Sequence, residues 1–204
     1  QADGHCDAAR DLLAQSGGQI QRASGIVRNI RSFLGYGKPA FQQSDLNATL
    51  QELQPMAQDI LTRLGPYRLE LALAPSLPPL PFDPILVQEA LLNMVRNAAE
   101  AMAGAGIREG AITMGTESGP DGVEIAVTDQ GPGLPEAQRA NLVQPFHTTK
   151  AEGMGLGLAV CQSVAEMHNG LLWAPEPRST DHGAEIRLRL PWGDRPAAHG
   201  KENP

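Results

Sequence analysis

Between Asp83 and about Ala103 the sequence sets two carboxamides one turn apart into an otherwise apolar helix. Asp83-Pro84 is a good helix start, and Asn93 and Asn97, four residues apart, share a face. Leu91, Leu92, Val95 and Ala98 supply the buried side. Asn is a poor helix former, and a half-buried amide is costly unless something bonds it. The pattern asks for a helix that packs along one side and does polar work along the other. Surface or capping amides would leave the same trace, so this patch alone keeps both readings open.

Helix and strand alternate around that segment. Asn47 can cap a helix running to about Leu64, where Gly65-Pro66 stops it. Tyr67, Leu69, Leu71 and Leu73 alternate with Arg68, Glu70 and Ala72, as in a half-buried strand. Pro75 to Pro81 is expected as a stiff linker rather than a polyproline ligand. Strands are predicted at Ala111–Thr116 and Val123–Thr128, joined by the turn Gly119-Pro120-Asp121-Gly122. A loop-rich stretch from Asp129 to Gly155 leads to a helix ending near His168, then to strands at Leu171–Ala174 and Glu185–Leu190. The mixture predicts an α+β layer fold, a helix–sheet sandwich.

Before it, Leu13, Ile20, Val27 and Leu34 recur every seven residues, with Ser16, Ala23 and Ile30 at the second seam position and Ile26 and Phe33 widening the stripe. A helix from about Ala8 to Tyr36 would run roughly 45 Å at ~1.5 Å per residue. One apolar stripe on so long a helix needs cover, either from partner helices in a dimeric bundle or from its own domain. Gly35, Gly37 and Pro39 end it. The tail after Gly193 is expected to be disordered.

Composition removes several function classes. The formal net charge is −7, whereas a duplex-binding surface needs a basic excess, so no nucleic-acid partner is expected. No apolar run reaches the ~18 residues of a membrane span, and the polar start is no signal peptide. Cys6 and Cys161 are too few for a disulfide framework and fit reduced thiols in a cytoplasmic protein. His5–Cys6 and Cys161 with His168 lack a second convergent pair for a metal. The start at Gln1 without a Met suggests a piece of something longer.

Three further patches follow the amide pair in order. Asp129-Gln130-Gly131-Pro132-Gly133 stands directly after an apolar strand; a carboxylate there can accept from an exocyclic amine, while the glycines admit a ring close to the backbone. Alone it is weak, since turns are full of Asp and Gly. Pro145-Phe146-His147-Thr148-Thr149-Lys150 places an anchor, two hydroxyls and a cation in a long loop. Gly153-Met154-Gly155-Leu156-Gly157-Leu158 opens a helix with free backbone N–H groups suited to phosphate oxygens. Its spacing fits neither the dinucleotide fingerprint nor a P-loop.

Taken jointly, residues from about Asp45 to Pro191 resemble the ATP-binding catalytic domain of bacterial sensor histidine kinases. Asn93 to Asn97 is similar to the N box and Asp129-x-Gly-x-Gly to the G1 box. Phe146 with Thr148-Thr149-Lys150 is similar to the F box, Gly153-x-Gly-x-Gly to the G2 box, and Gly183-Ala184-Glu185-Ile186 to the closing strand. The N box and the Thr-Thr-Lys are nearest the nitrogen- and oxygen-sensing branch.

The resemblance implies the Bergerat sandwich, two layers with helices covering one face of a mixed sheet, and ATP and Mg²⁺ as cofactors. It implies that Asp129 accepts from the adenine amine, Gly131 and Gly133 shape the adenine side, and Asn97 holds the metal. Asn93 would face the phosphates. Thr148, Thr149, Lys150, Gly153, Gly155, Gly157 and Leu158 would complete the ATP site, with Lys150 a catalytic helper beside Asn93 and Asn97. Residues 135–153 would form a mobile lid. Hydrolysing relatives (gyrase, mismatch-repair ATPases, Hsp90 chaperones) carry a Glu four residues before the metal-binding Asn. Here that position is Asn93, which cannot take a proton from water, and this favours phosphoryl transfer to histidine over hydrolysis.

By the same resemblance residues 1–40 hold the second helix of a dimerisation region, with homodimer contacts through residues 8–36. Residues 41–192 form the ATP-binding domain and residues 193–204 the tail. The phosphoacceptor helix is missing; His5, His147 and His168 do not match it. A response-regulator receiver domain would be the downstream partner. A Bergerat-fold ATPase and an ATP-independent scaffold are the alternatives.

Overall fold

The computed structural model describes residues 39–140, 157–176 and 183–193. The expected amino-terminal helix and the carboxy-terminal tail lie outside them.

Asp45 caps the first helix, α1 (Leu46–Leu64), by accepting from the Ala48 N–H at 3.0 Å. This corrects the cap expected at Asn47. The carboxylate just ahead of Leu46 reaches the free N–H groups first. Asn47 works elsewhere: its Nδ2 donates to Ala74 O (2.8 Å) and its Oδ1 accepts from Thr116 Oγ1 (2.9 Å). Thr116 Oγ1 also accepts from Ala74 N–H, closing a small polar ring.

A pair of short strands was not anticipated. β1 (Gln42–Ser44) runs antiparallel to β3 (Leu80–Phe82), which takes up the end of the proline-rich linker expected from Pro75 to Pro81. Pro81 has no N–H to give a ladder, which argues against a strand on sequence grounds. Burial decides otherwise, since Leu80 and Phe82 are fully enclosed.

β2 (Tyr67–Ala72) alternates as expected, Tyr67 and Leu69 inward, Arg68 and Glu70 outward. With β4 (Gly110–Ser118), β5 (Gly122–Thr128), β6 (Leu171–Trp173) and β7 (Glu185–Pro191) it forms one sheet, ordered β2-β4-β5-β7-β6. Among the described residues only the β2–β4 pairing is parallel, so the sheet is mixed. Ile112, Met114, Val123, Ile125, Val127, Leu188 and Leu190 turn to the helices and are buried. Each such side chain contributes about 1.5–3 kcal/mol by leaving water.

Helix α2 (Pro84–Gly104) packs between α1 and α4 (Gly157–Met167), and the described part of α3 covers Glu136–Ala140. On the other sheet face Arg187 binds Glu117, Glu124 and Glu185, and Arg189 binds Glu124. Burial opposes the Glu124 charge, but bonds from both arginines outweigh it and hold that carboxyl below the ordinary range.

The amino end of α2 is a junction. Asp83 Oδ1 accepts from Ile85 and Leu86 N–H, and Oδ2 from Ala40 N–H. Asp83 N–H donates to His168 Nε2 at 3.0 Å, just past α4. His168 is therefore structural, as its position suggested.

Candidate functional site

The helix face that carried the amides is where the structure departs from ordinary packing. Asn93 is only 8% exposed although polar, and its Nδ2 donates to Glu89 O one turn back at 3.1 Å. That bond orients the amide and leaves Oδ1 as its acceptor. Asn97, one turn on, is half-buried and makes no hydrogen bond with another described residue. Gly157, the first residue of α4, lies against it: a Cβ placed there would stand 3.2 Å from both Asn97 Nδ2 and Oδ1. The described part of α4 thus begins beside the Asn97 amide.

Asp129 stands where β5 leaves the sheet, 8% exposed. Its Oδ1 accepts from Gly131 N–H (2.7 Å) and Ala184 N–H (3.1 Å). Oδ2 takes no bond from a described residue. Burial raises the carboxyl pKa, and the two N–H bonds oppose that rise. Glycine is required on both sides. A Cβ on Gly131 would stand 2.7 Å from Asp129 Oδ1, and one on Gly183, at φ +141°, would stand 2.3 Å from Asp129 O. Gly133 has φ +80°.

Met102 joins the two halves. Its Cγ would lie 3.7 Å from a Cβ on Gly131, so the last turn of α2 sits under the Asp129 turn. From Asn93 to Met102 α2 rises about 13 Å at 1.5 Å per residue. A buried acceptor at one end and amides beside Gly157 at the other suit an elongated ligand, a donor-bearing ring at one end and anionic oxygens at the other.

Of the sequence-derived site, Asn93, Asn97, Asp129, Gly131, Gly133, Gly157 and Leu158 are described, and Leu158 packs partly buried against the core. Phe146, Thr148, Thr149, Lys150, Gly153 and Gly155 lie outside the described residues, as does the lid beyond residue 140. Sequence reasoning missed Gly183 and Ala184 as partners of Asp129 and gave Gln130 no role. A glycine just ahead of a strand was the available signal for the first pair; an isolated Gln offers none. Cys161 is buried in α4, its Sγ–H shared between Ala90 O and Gly157 O, and burial pushes the thiol up to about 12.

Residues 82–194 match the family described as histidine kinase-, DNA gyrase B-, and HSP90-like ATPase. The sensor histidine kinase TmoS of Ectopseudomonas mendocina is 34% identical over 83% of this chain and 18% of its own. The sensor protein FixL of Bradyrhizobium diazoefficiens is 32% identical over 95% of this chain and 37% of its own. The chain therefore spans well under half the length of these relatives. The solved catalytic domain of histidine kinase ThkA superposes with a TM-score of 0.63 at 26% identity, covering 74% of this chain and 95% of that domain.

Proposed function

Since this chain belongs to the histidine kinase-, DNA gyrase B-, and HSP90-like ATPase family and carries its ATP-binding domain, we propose that it is the catalytic part of a sensor histidine kinase. The observation that carries the reading is the Asp129 carboxylate, pinned through Oδ1 by Gly131 and Ala184 with Oδ2 left to accept. The exocyclic amine of adenine is the matching donor. Guanine offers a carbonyl at that position, so GTP is disfavoured.

Asn93 and Asn97 take the phosphate end, with the N–H groups around Gly157 as donors. The Asn97 carboxamide, half-buried and not committed to another described residue, is a hard oxygen ligand of the kind Mg²⁺ takes singly alongside phosphates and water. When bound, the metal neutralises charge on the phosphate oxygens. Lys150, Thr148 and Thr149, with Gly153 and Gly155, complete the site in this reading.

In the transfer an acceptor imidazole nitrogen attacks the γ-phosphorus, the bond to the β–γ bridging oxygen breaks, and ADP leaves. Asn93 carries no basic atom to activate water, which supports transfer over hydrolysis. His168, the one histidine among the described residues, has both ring nitrogens engaged and is no acceptor. The acceptor histidine, a homodimer through residues 8–36 and a response-regulator receiver domain belong to the same proposal, as does a cytoplasmic location. No helix among the described residues is long and apolar enough to cross a membrane.

Calorimetric titration with Mg·ATP and Mg·GTP tests the reading. ATP binds, GTP binds much more weakly, and Asp129→Asn lowers ATP affinity by about 1.5–3 kcal/mol. Absence of ATP binding by the unmodified chain would overturn it.

A further inference from the structure

We infer that Gln130 is a positioning residue that aims Asp129 by continuing the β4–β5 ladder with its side chain. The inference rests on Asp129 as the base-reading group.

The β4–β5 ladder ends at Thr113↔Thr128, yet β4 begins three residues earlier, at Gly110. On its other side β4 stays paired throughout, Gly110 to Tyr67 and Ala111 to Arg68. Stepping the β4–β5 register on by two residues brings Gln130 opposite Ala111. The backbone does not follow, because it bends at Gln130. Instead Gln130 Oε1 accepts from Ala111 N–H at 3.0 Å, in the place a strand carbonyl would occupy.

The carboxamide is seated as well as bonded. A Cβ on Gly110 would stand 2.7 Å from Gln130 Oε1 and 2.6 Å from Met102 Cε, so glycine leaves room for both. Met102 also underlies Gly131. Gln130, Gly110 and Met102 thus floor the turn whose next N–H, that of Gly131, fixes Asp129 Oδ1. Without an acceptor at position 130 the Ala111 N–H loses its partner and the turn its tether. The carboxylate then keeps its chemistry and loses its direction.

A residue that merely stabilised the fold would not change which base is preferred. The test is therefore the ratio of Mg·ATP to Mg·GTP affinity, measured by calorimetry on folded protein. Gln130→Ala narrows that ratio about fivefold, the equivalent of one net hydrogen bond, with the loss on ATP. Gln130→Lys, similar in length but without an acceptor, does the same, and Gln130→Glu, which keeps one, retains the unmodified ratio. If the Ala chain does not fold, the Lys and Glu variants decide. An unchanged ratio in the Ala and Lys variants, or equal loss for both nucleotides, overturns the inference while Asp129→Asn still abolishes the preference. A preference that survives Asp129→Asn, or is absent from the unmodified chain, overturns the underlying reading and this inference with it.

Discussion

Asp129 and Ala184 are tied to each other twice, across fifty-five residues of sequence: Ala184 N–H donates to Asp129 Oδ1 at 3.1 Å, and Asp129 N–H donates to Ala184 O at 2.9 Å. The backbone bond continues the β5–β7 ladder past Thr128↔Glu185, and the side-chain bond turns the strand end into a fixed carboxylate.

That fixed carboxylate has a cost that pH reveals. Burial raises its pKa above the ordinary value of 3.8. A carboxyl raised on folding contributes stability that is full below its unfolded pKa and is lost as pH rises through the folded one. Asp129→Asn keeps an acceptor for Gly131 and Ala184 and removes the charge. The free variant should therefore melt no lower than the unmodified chain at pH 7, with the difference shrinking toward pH 4, although its ATP affinity falls. Paired thermal melts at both pH values check this; a variant clearly less stable at pH 7 contradicts it.

Gly131→Ala should lose about 1–3 kcal/mol of stability together with ATP binding, because its Cβ would press on Asp129 Oδ1 at 2.7 Å. Gly104→Ala is the control. Nothing lies within 4 Å of a Cβ there, and a helical Gly→Ala change stabilises by about 0.4–1 kcal/mol. Urea titration of the two variants compares them directly.

Much of this architecture was legible beforehand because it is local. Alternation marked β2, Asp83-Pro84 marked the start of α2, and Asn93 and Asn97 stood out as polar groups on an apolar helix. What escaped depends on partners distant in sequence. Asn47 was read as a cap because its bonds to Ala74 and Thr116 lie 27 and 69 residues away. β1 and β3 were hidden because Pro81 signals linker, and only burial of Leu80 and Phe82 makes them strands. Gln130 carried no signal, since its acceptor role follows from the register of β4 against β5.

Asn97→Ala should weaken Mg·ATP far more than metal-free ATP, because the group removed is the proposed metal ligand. Titrations with magnesium and with a chelator separate the two. Equal losses would mean that Asn97 supports the contact with Gly157 and holds no ion.

Acid should loosen the junction at the start of α2. Burial lowers the His168 pKa below 6.5, against the raising influence of its Val164 bond and of Asp83. A histidine depressed on folding contributes stability that is present above its unfolded pKa and is lost as pH falls through the folded one. Melting temperature should drop on acidification below about 6.5, since the protonated ring can no longer accept from Asp83 N–H. His168→Gln should lack that step. His168→Leu, which leaves Asp83 N–H unpaired, should cost about 1–3 kcal/mol at every pH.

The central claim is phosphoryl transfer from ATP to histidine, and radiolabel transfer tests it most directly. The chain is incubated with Mg²⁺ and ATP labelled at the γ-phosphate, with a histidine-bearing acceptor helix supplied in cis or as a separate piece. The account predicts acid-labile label on the acceptor histidine, lost with Asn97→Ala, and little inorganic phosphate when the acceptor is left out. Rapid release of inorganic phosphate by the chain alone, with no label on histidine, would contradict it and make the protein an ATPase.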